Sequence, residues 1–131
     1  IEKVKIFKYL GLQITDDGDH EVDIDARIVK AKTAFKKLYR GIWKRRDVSL
    51  KTKFRVYSAL VEPIVLYGPE SWTLSAKVKQ KLDVFDNDCL RTILGITWSD
   101  KIDNEKLREI SGQASLSFKA ASRIIRWAGH V

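Results

Sequence analysis

Between Glu21 and Arg46 the chain alternates apolar and charged positions with a period of three to four residues. The apolar positions advance by steps of four, three, four, three and four, which is the spacing of one face of an α-helix. On a helical projection they fall within about 80° of one another. These positions are Ile24, Ile28, Ala31, Phe35, Leu38 and Ile42. The pattern predicts a long helix that turns one face towards a core.

A second stretch with this period starts after Ser49, a residue type that caps helix N-termini, and stops before Gly68-Pro69. Pro63 lies inside it and removes one backbone hydrogen bond, so a bend is expected there. Its apolar positions are Leu50, Phe54, Tyr57, Val61 and Ile64. We therefore predict a second helix that ends near Tyr67.

Three further helices are predicted in the second half of the chain. Ser75 and Gly95 bound the first of them, whose mixed acidic and basic outer face indicates a solvated surface. Its apolar positions are Val78, Leu82, Phe85, Cys89 and Ile93. Asp103 or Asn104 caps a short helix that Gly112 ends, and a last helix starts at Ser115.

The first residues follow a different pattern. Apolar residues alternate with polar ones from Lys3 to Thr15 around Gly11, and Asp16-Asp17-Gly18 follows as a turn sequence. This predicts a short β-ribbon over residues 1–18. The expected fold is mainly α, a bundle of about five helices over residues 19–131 preceded by that ribbon.

Charge changes the interpretation of the first helix. The chain carries a net charge of +8 with a pI near 9.6, which points to a polyanionic partner such as nucleic acid. Nine basic residues and no acidic one lie between Arg27 and Arg46. The alternative is an ordinary solvated helix, but such a face normally mixes both signs. The candidate phosphate-binding residues are Lys30, Lys37, Arg40, Lys44, Arg45, Lys51 and Arg55.

The sequence gives little indication of a membrane span, a secretory signal or a metal site. No apolar run is long enough to span a membrane and no secretory signal is recognisable, so we expect an intracellular protein, nuclear or cytoplasmic. The single cysteine, Cys89, is expected in the core, and His20 and His130 are too far apart in sequence to suggest a metal site. Asp16-Asp17 is more simply a turn than a magnesium site. The absence of methionine suggests a piece of a longer chain.

Five segments in order resemble the reverse transcriptases of non-LTR, LINE-like retrotransposons (endonuclease-reverse transcriptases). They are FKYLGLQIT with DDG, the basic helix of the type RI-x-x-A-x-x-AF, SLKTKFRVYSALVEPIVLYGPESWTL, DCLRTILGITW and RIIRWAGHV. Together they cover nearly the whole chain. Pro69 departs from the family's usual sequence after Leu-Tyr-Gly.

The resemblance implies the end of the palm followed by the thumb and C-terminal region of an RNA-directed DNA polymerase. It implies that Tyr9, Leu10 and Gly11 lie beside the primer grip, although core packing is an alternative role for Tyr9 and Leu10. The family's catalytic aspartates lie upstream of this region, so the piece should be inactive alone and hold no cofactor, whereas the parent enzyme would need magnesium. The missing palm and fingers are expected partners.

Two functions follow as hypotheses. The first is a non-catalytic fragment that holds the template-primer duplex, whether RNA-DNA hybrid, duplex DNA or structured RNA. The second is a helical protein-interaction module that docks through an apolar, tryptophan-rich surface. The tryptophans are Trp43, Trp72, Trp98 and Trp127. No membrane partner is expected, and the excised piece could self-associate.

Overall fold

The computed structural model describes residues 17–66 and 75–129, which are mainly helical. Six α-helices are found in this part of the chain: α1 (Asp17–Lys37), α2 (Leu50–Val56), α3 (Glu62–Leu66), α4 (Ala76–Leu94), α5 (Asn104–Ser111) and α6 (Leu116–Gly129). A π-helical turn, Tyr39–Trp43, follows α1, and a second, Tyr57–Val61, joins α2 to α3 without a break. A single 3-10 turn, Trp98–Asp100, lies between α4 and α5.

The helix starts and stops predicted from the sequence are confirmed at most ends. The Ser49 and Ser75 side chains accept hydrogen bonds from backbone N–H groups of the first turns of α2 and α4. Asp103, rather than Asn104, caps α5. Gly95 and Gly112 end α4 and α5 with φ of 70° and 66°, a conformation that glycine adopts without strain.

The N-terminal end of α1 differs from the prediction. The helix already includes Asp17 and Gly18, so the turn predicted over Asp16-Asp17-Gly18 is wrong at these two positions. Acidic residues follow directly, and carboxylates near a helix N-terminus interact favourably with the positive end of the helix dipole. This interaction stabilises a helix that begins further towards the N-terminus. The rest of the predicted β-ribbon, residues 1–16, lies outside the described residues, and none of the described residues is in a strand.

The core lies between α1, α4 and the continuous α2–α3 helix. The stripes predicted for α1 and α4 are confirmed where they face each other, and Cys89 is buried as expected. Within the continuous α2–α3 helix, α3 contributes Val65 and Leu66 to the core, and α6 adds Leu116 and Ala120. Packing the helices through their apolar stripes removes these side chains from water, and this burial stabilises the fold.

The end of the first stripe contains the main error in the predicted core. The π-helical turn inserts one residue into the helical period, since the backbone N–H of Trp43 donates to the carbonyl of Leu38, five residues earlier. Trp43 is therefore buried where a regular helix would bury Ile42, which is only partly buried. A π-turn leaves no clear mark in the apolar period, so the sequence could not show this shift.

Trp43 anchors the turn through three contacts, and its stacking partner Phe35 makes a further one with Tyr57. Its ring stacks on Phe35 with centroids 4.8 Å apart, and its Nε1–H donates to the Phe35 carbonyl oxygen at 2.7 Å. The buried Lys53 ammonium donates to the Trp43 carbonyl oxygen at 2.9 Å. Tyr57 meets Phe35 edge-on at 6.1 Å. Trp43 is thus a structural residue and is not available to stack on a nucleic-acid base.

We expect the substitution Trp43→Phe to lower the free energy of unfolding by about 1 kcal/mol. The phenyl ring keeps most of the stacking with Phe35 but loses the buried Nε1–H bond. Denaturant unfolding measures the change, and the exposed Tyr39→Phe of the same turn is the control, expected to change stability by less than about 0.5 kcal/mol. Equal effects of the two substitutions would show that the indole hydrogen bond contributes nothing.

Candidate nucleic-acid interface

Lys30 and Lys37 lie on one flank of α1. They are seven residues apart, so their side chains leave the helix within about 20° of each other. Both are exposed, and Lys30 lines a shallow groove together with Pro63 and Ile64 at the start of α3. Both lysines are therefore presented to solvent, Lys30 beside the groove between α1 and α3.

Arg40 and Lys44 extend this basic surface beyond the helix. Arg40 lies inside the π-helical turn and Lys44 directly after it, and both are exposed. No acidic group within the described residues forms an ion pair with Lys30, Lys37, Arg40 or Lys44. Their charges are available to an external anion.

Lys51 and Arg55 form a separate part of the surface. They are one turn apart on α2, both exposed, and they line a groove of about 420 Å³ with Gln113 from the loop before α6. Neither has an ion-pair partner among residues 17–66 and 75–129. The structure thus brings Lys51 and Arg55 together but places them in a different groove from Lys30.

Arg45 is not comparable with these residues. Its guanidinium donates to both carboxylate oxygens of Asp47, at 2.9 Å and 2.5 Å. This hydrogen bonding raises the pKa of Arg45 and, as the largest cause, lowers the pKa of Asp47. The basic run looked free of acids in sequence because Asp47 lies just past its end. The Arg45 charge is already neutralised within the molecule, so Arg45 is a weak candidate for a phosphate.

The basic residues of α1 and its π-turn, here called the basic row, also have an acidic neighbour on α1 itself. Arg27 forms an ion pair with Asp23 one turn earlier on α1, with an N–O distance of 3.0 Å. The first basic residue of this helix is therefore already paired at i,i+4. Two further cations that were not proposed as ligands, Lys32 and Lys36, face α4 on the other side of α1.

The remaining predicted site residues are not described. Tyr9, Leu10 and Gly11 lie outside residues 17–66 and 75–129, as does Trp72. Within the described part of the chain, no cluster of histidine, cysteine or acidic side chains has the size to hold a metal ion. No helix found there is both long and apolar enough to cross a membrane.

The described geometry defines a helical protein with an exposed and largely unpaired row of cations. Along its whole length the chain is similar to an uncharacterized transposon-derived protein of Caenorhabditis elegans, with 28% identity over 138 aligned positions. The alignment covers 100% of this chain and 48% of that protein, so the chain spans about half the length of the curated relative it matches. No family model and no solved structure matches the chain. The similarity indicates a transposon origin.

Proposed function

We propose that the chain is the non-catalytic, duplex-holding part of a LINE-like RNA-directed DNA polymerase. One observation carries this proposal: Lys30, Lys37, Arg40 and Lys44 are exposed, follow one another along α1 and its π-turn, and have no acidic partner among the described residues. Lys51 and Arg55 supply two further free charges. The similarity to a transposon-derived protein supports an origin in a mobile element.

Exposed cations on helices suit a role in holding a duplex by its backbone. Lysine and arginine on rigid helices bind phosphates and fix the position of a duplex, whereas sequence is read by side chains that reach base edges. Each bound phosphate releases counterions, so the affinity of such a surface falls steeply with salt. Activity and magnesium binding would belong to the parts of the parent enzyme that carry its aspartates.

The tryptophan-rich docking surface is a weaker alternative. Trp43 is 2% exposed and its indole N–H is already bonded, so it contributes no surface. We therefore propose nucleic acid as the main partner. Salt dependence distinguishes the two functions, because apolar docking responds little to ionic strength whereas phosphate binding responds strongly.

The experiment is a titration of the chain with an RNA-DNA hybrid, duplex DNA and single-stranded RNA at several salt concentrations. If about five phosphates are neutralised, the logarithm of the association constant for duplex DNA should fall against log salt with a slope of about −4.5. A slope near zero, or no binding to any of the three at low salt, would contradict the proposal.

Adjacent residues provide a sharper test. Lys44→Gln should make the slope shallower by about one, because a free cation is lost. Arg45→Gln should change it by less than about half of that, since Asp47 already pairs with Arg45 in the free protein. Both substitutions remove one exposed positive charge from neighbouring positions, so each is the control for the other. Equal changes would mean that the Arg45–Asp47 pair opens on binding and that local pairing does not select the ligands.

A further inference from the structure

α1 and α4 run parallel and leave a groove along their common seam. Asp25 pairs with Lys81 at one end of the seam, and Tyr39 and Thr92 line the same cavity at the other. Two cavities of about 340 and 540 Å³ meet along it, since Lys32 and Phe85 line both. From residue 25 to residue 39 the groove follows about 20 Å of helix. This seam groove lies on the side of α1 away from Lys30 and Lys37.

The floor of the seam groove is apolar and its walls are regular. Buried side chains from both helices form the floor: Ile28, Phe35, Phe85 and Cys89. Each wall is one face of an α-helix, so contacts repeat every three to four residues along it. Such walls match the side-chain spacing of another helix, and they offer no free backbone edge with which an extended strand could pair.

Exposed apolar residues gather at the rims of this groove. Val84 of α4 and Tyr39 line the cavities directly and are 54% and 46% exposed. Val22 and Val29 line neither cavity, but they lie on the same side of α1 as Asp25, at i−3 and i+4, and are 70% and 62% exposed. Single exposed apolar residues are ordinary, but several along one seam mark a contact surface.

The charge at the rim selects the partner. Lys32 and Lys36 line the larger cavity one turn apart, and within the described part of the chain neither forms an ion pair. Asp25, which lines the smaller cavity, is neutralised by Lys81 at 2.9 Å. Among the described residues, Asp88 is the single acidic residue that lines the larger cavity. Two free lysines beside apolar rims complement carboxylates beside apolar side chains.

We infer that the seam groove docks an amphipathic helix of a protein partner, about four turns long, with acidic residues flanking its apolar stripe. Apolar anchors at i, i+4, i+7 and i+11 contact the valines and the floor, and carboxylates pair with Lys32 and Lys36. A nucleic-acid backbone suits this groove poorly, because the apolar side chains at the rims gain no burial against phosphates and the Asp88 carboxylate repels them. The α1 helix thus serves two partners, nucleic acid on one flank and protein on the other.

The test uses a fluorescein-labelled peptide of about 16 residues with leucines at i, i+4, i+7 and i+11 and glutamates beside them. Its binding is measured by fluorescence anisotropy. We expect saturable binding that weakens at least about tenfold with Val84→Glu, since the new carboxylate would be buried against leucines. Leu60→Glu, equally 54% exposed but outside both cavities, should leave binding unchanged. Absence of binding by the wild type, or equal effects of the two substitutions, would overturn the inference.

Charge variants separate this surface from the proposed nucleic-acid interface. Lys32→Glu with Lys36→Glu should weaken peptide binding at least about tenfold, whereas Lys30→Glu with Lys37→Glu should leave it within about twofold. A peptide with lysines in place of the glutamates should not bind the wild type. If both double variants lost peptide binding equally, the seam groove would not be the site. This result does not depend on whether the chain binds nucleic acid.

Discussion

Asp86→Ala is expected to lower the free energy of unfolding by about 3 kcal/mol, although the sequence places Asp86 on a polar helix face. The Asp86 side chain is 1% exposed and accepts three interactions from three elements. Arg108 of α5 pairs with it at 2.6 Å, the Tyr57 hydroxyl donates at 2.5 Å, and the backbone N–H of Leu116 donates at 3.2 Å. Asp86 therefore joins α4 to α5, α6 and the π-turn before α3.

The expected loss comes from the groups that remain. Burial raises the pKa of Asp86, because the loss of hydration outweighs the hydrogen bond from Tyr57 and the charge of Arg108. For a buried ion pair the cost of removing both charges from water offsets much of their attraction, so the pair as a whole is expected to contribute little net stability. Removing only the carboxylate leaves Arg108 without its counter-ion and the buried Tyr57 hydroxyl without its acceptor, and both losses are costly.

Urea unfolding followed by far-UV circular dichroism measures this effect. Asp88→Ala is the matched control, because Asp88 lies two residues away on α4 and is exposed. We expect it to change stability by no more than about 0.5 kcal/mol. A similar change for Asp86→Ala and Asp88→Ala would show that the buried network does not hold the helices together.

The contrast between these two aspartates shows what the sequence can predict. Apolar period and capping residues located α4, α5 and α6 well, because Ser75, Asp103 and Gly95 act on their own neighbours in the chain. The polar face of α4 was predicted to be solvated, and this is wrong for Asp86 and for the half-buried Asp83. Their partners are distant in sequence, so no local pattern reveals them.

The α6 helix illustrates the same limit. Its N-terminus is held by acids of α4: Asp83 accepts from the backbone N–H and the hydroxyl of Ser117, at 3.1 and 2.8 Å. Lys119 pairs with the buried Glu62 of α3 at 2.6 Å. Carboxylates stabilise helix N-termini whether they come from the same helix or from a neighbour. A sequence pattern can detect only the first kind.

The candidate interface was predictable to a similar degree. Counting charges identified the basic row, and Lys30, Lys37, Arg40 and Lys44 are exposed, while their binding to nucleic acid stays a prediction. Counting could not show that Arg45 turns back to Asp47, or that Lys32 and Lys36 face α4. It also could not show that Lys51 and Arg55 occupy a different groove from Lys30. These facts depend on how the helices pack.

Reversing the charge of four cations in the basic row should have the largest effect on nucleic-acid binding. The variant carries four substitutions to glutamate, at Lys30, Lys37, Arg40 and Lys44. Four favourable phosphate contacts become repulsive, so we expect the affinity for an RNA-DNA hybrid at low salt to fall at least about 1,000-fold. The four side chains are exposed and form no ion pair among the described residues, so the fold should survive the change. Circular dichroism and the melting temperature check this directly.

A charge-matched variant distinguishes a defined interface from net charge alone. It too carries four substitutions to glutamate, all of lysines at exposed positions remote in sequence from the basic row: Lys77, Lys79, Lys101 and Lys106. The change in net charge is the same. If binding depends only on total charge, both variants weaken alike; if it depends on the row, the control keeps most of its affinity.

The most direct measurement of the central claim is therefore an anisotropy titration of a labelled RNA-DNA hybrid with the wild type and these two variants, at low and high salt. We expect tight, salt-sensitive binding by the wild type, a modest loss for the charge-matched control, and a loss of at least about 1,000-fold for the row variant. Equal affinities of the two variants, or a wild type that binds no better than the row variant, would contradict the claim that α1 and its π-turn hold a duplex.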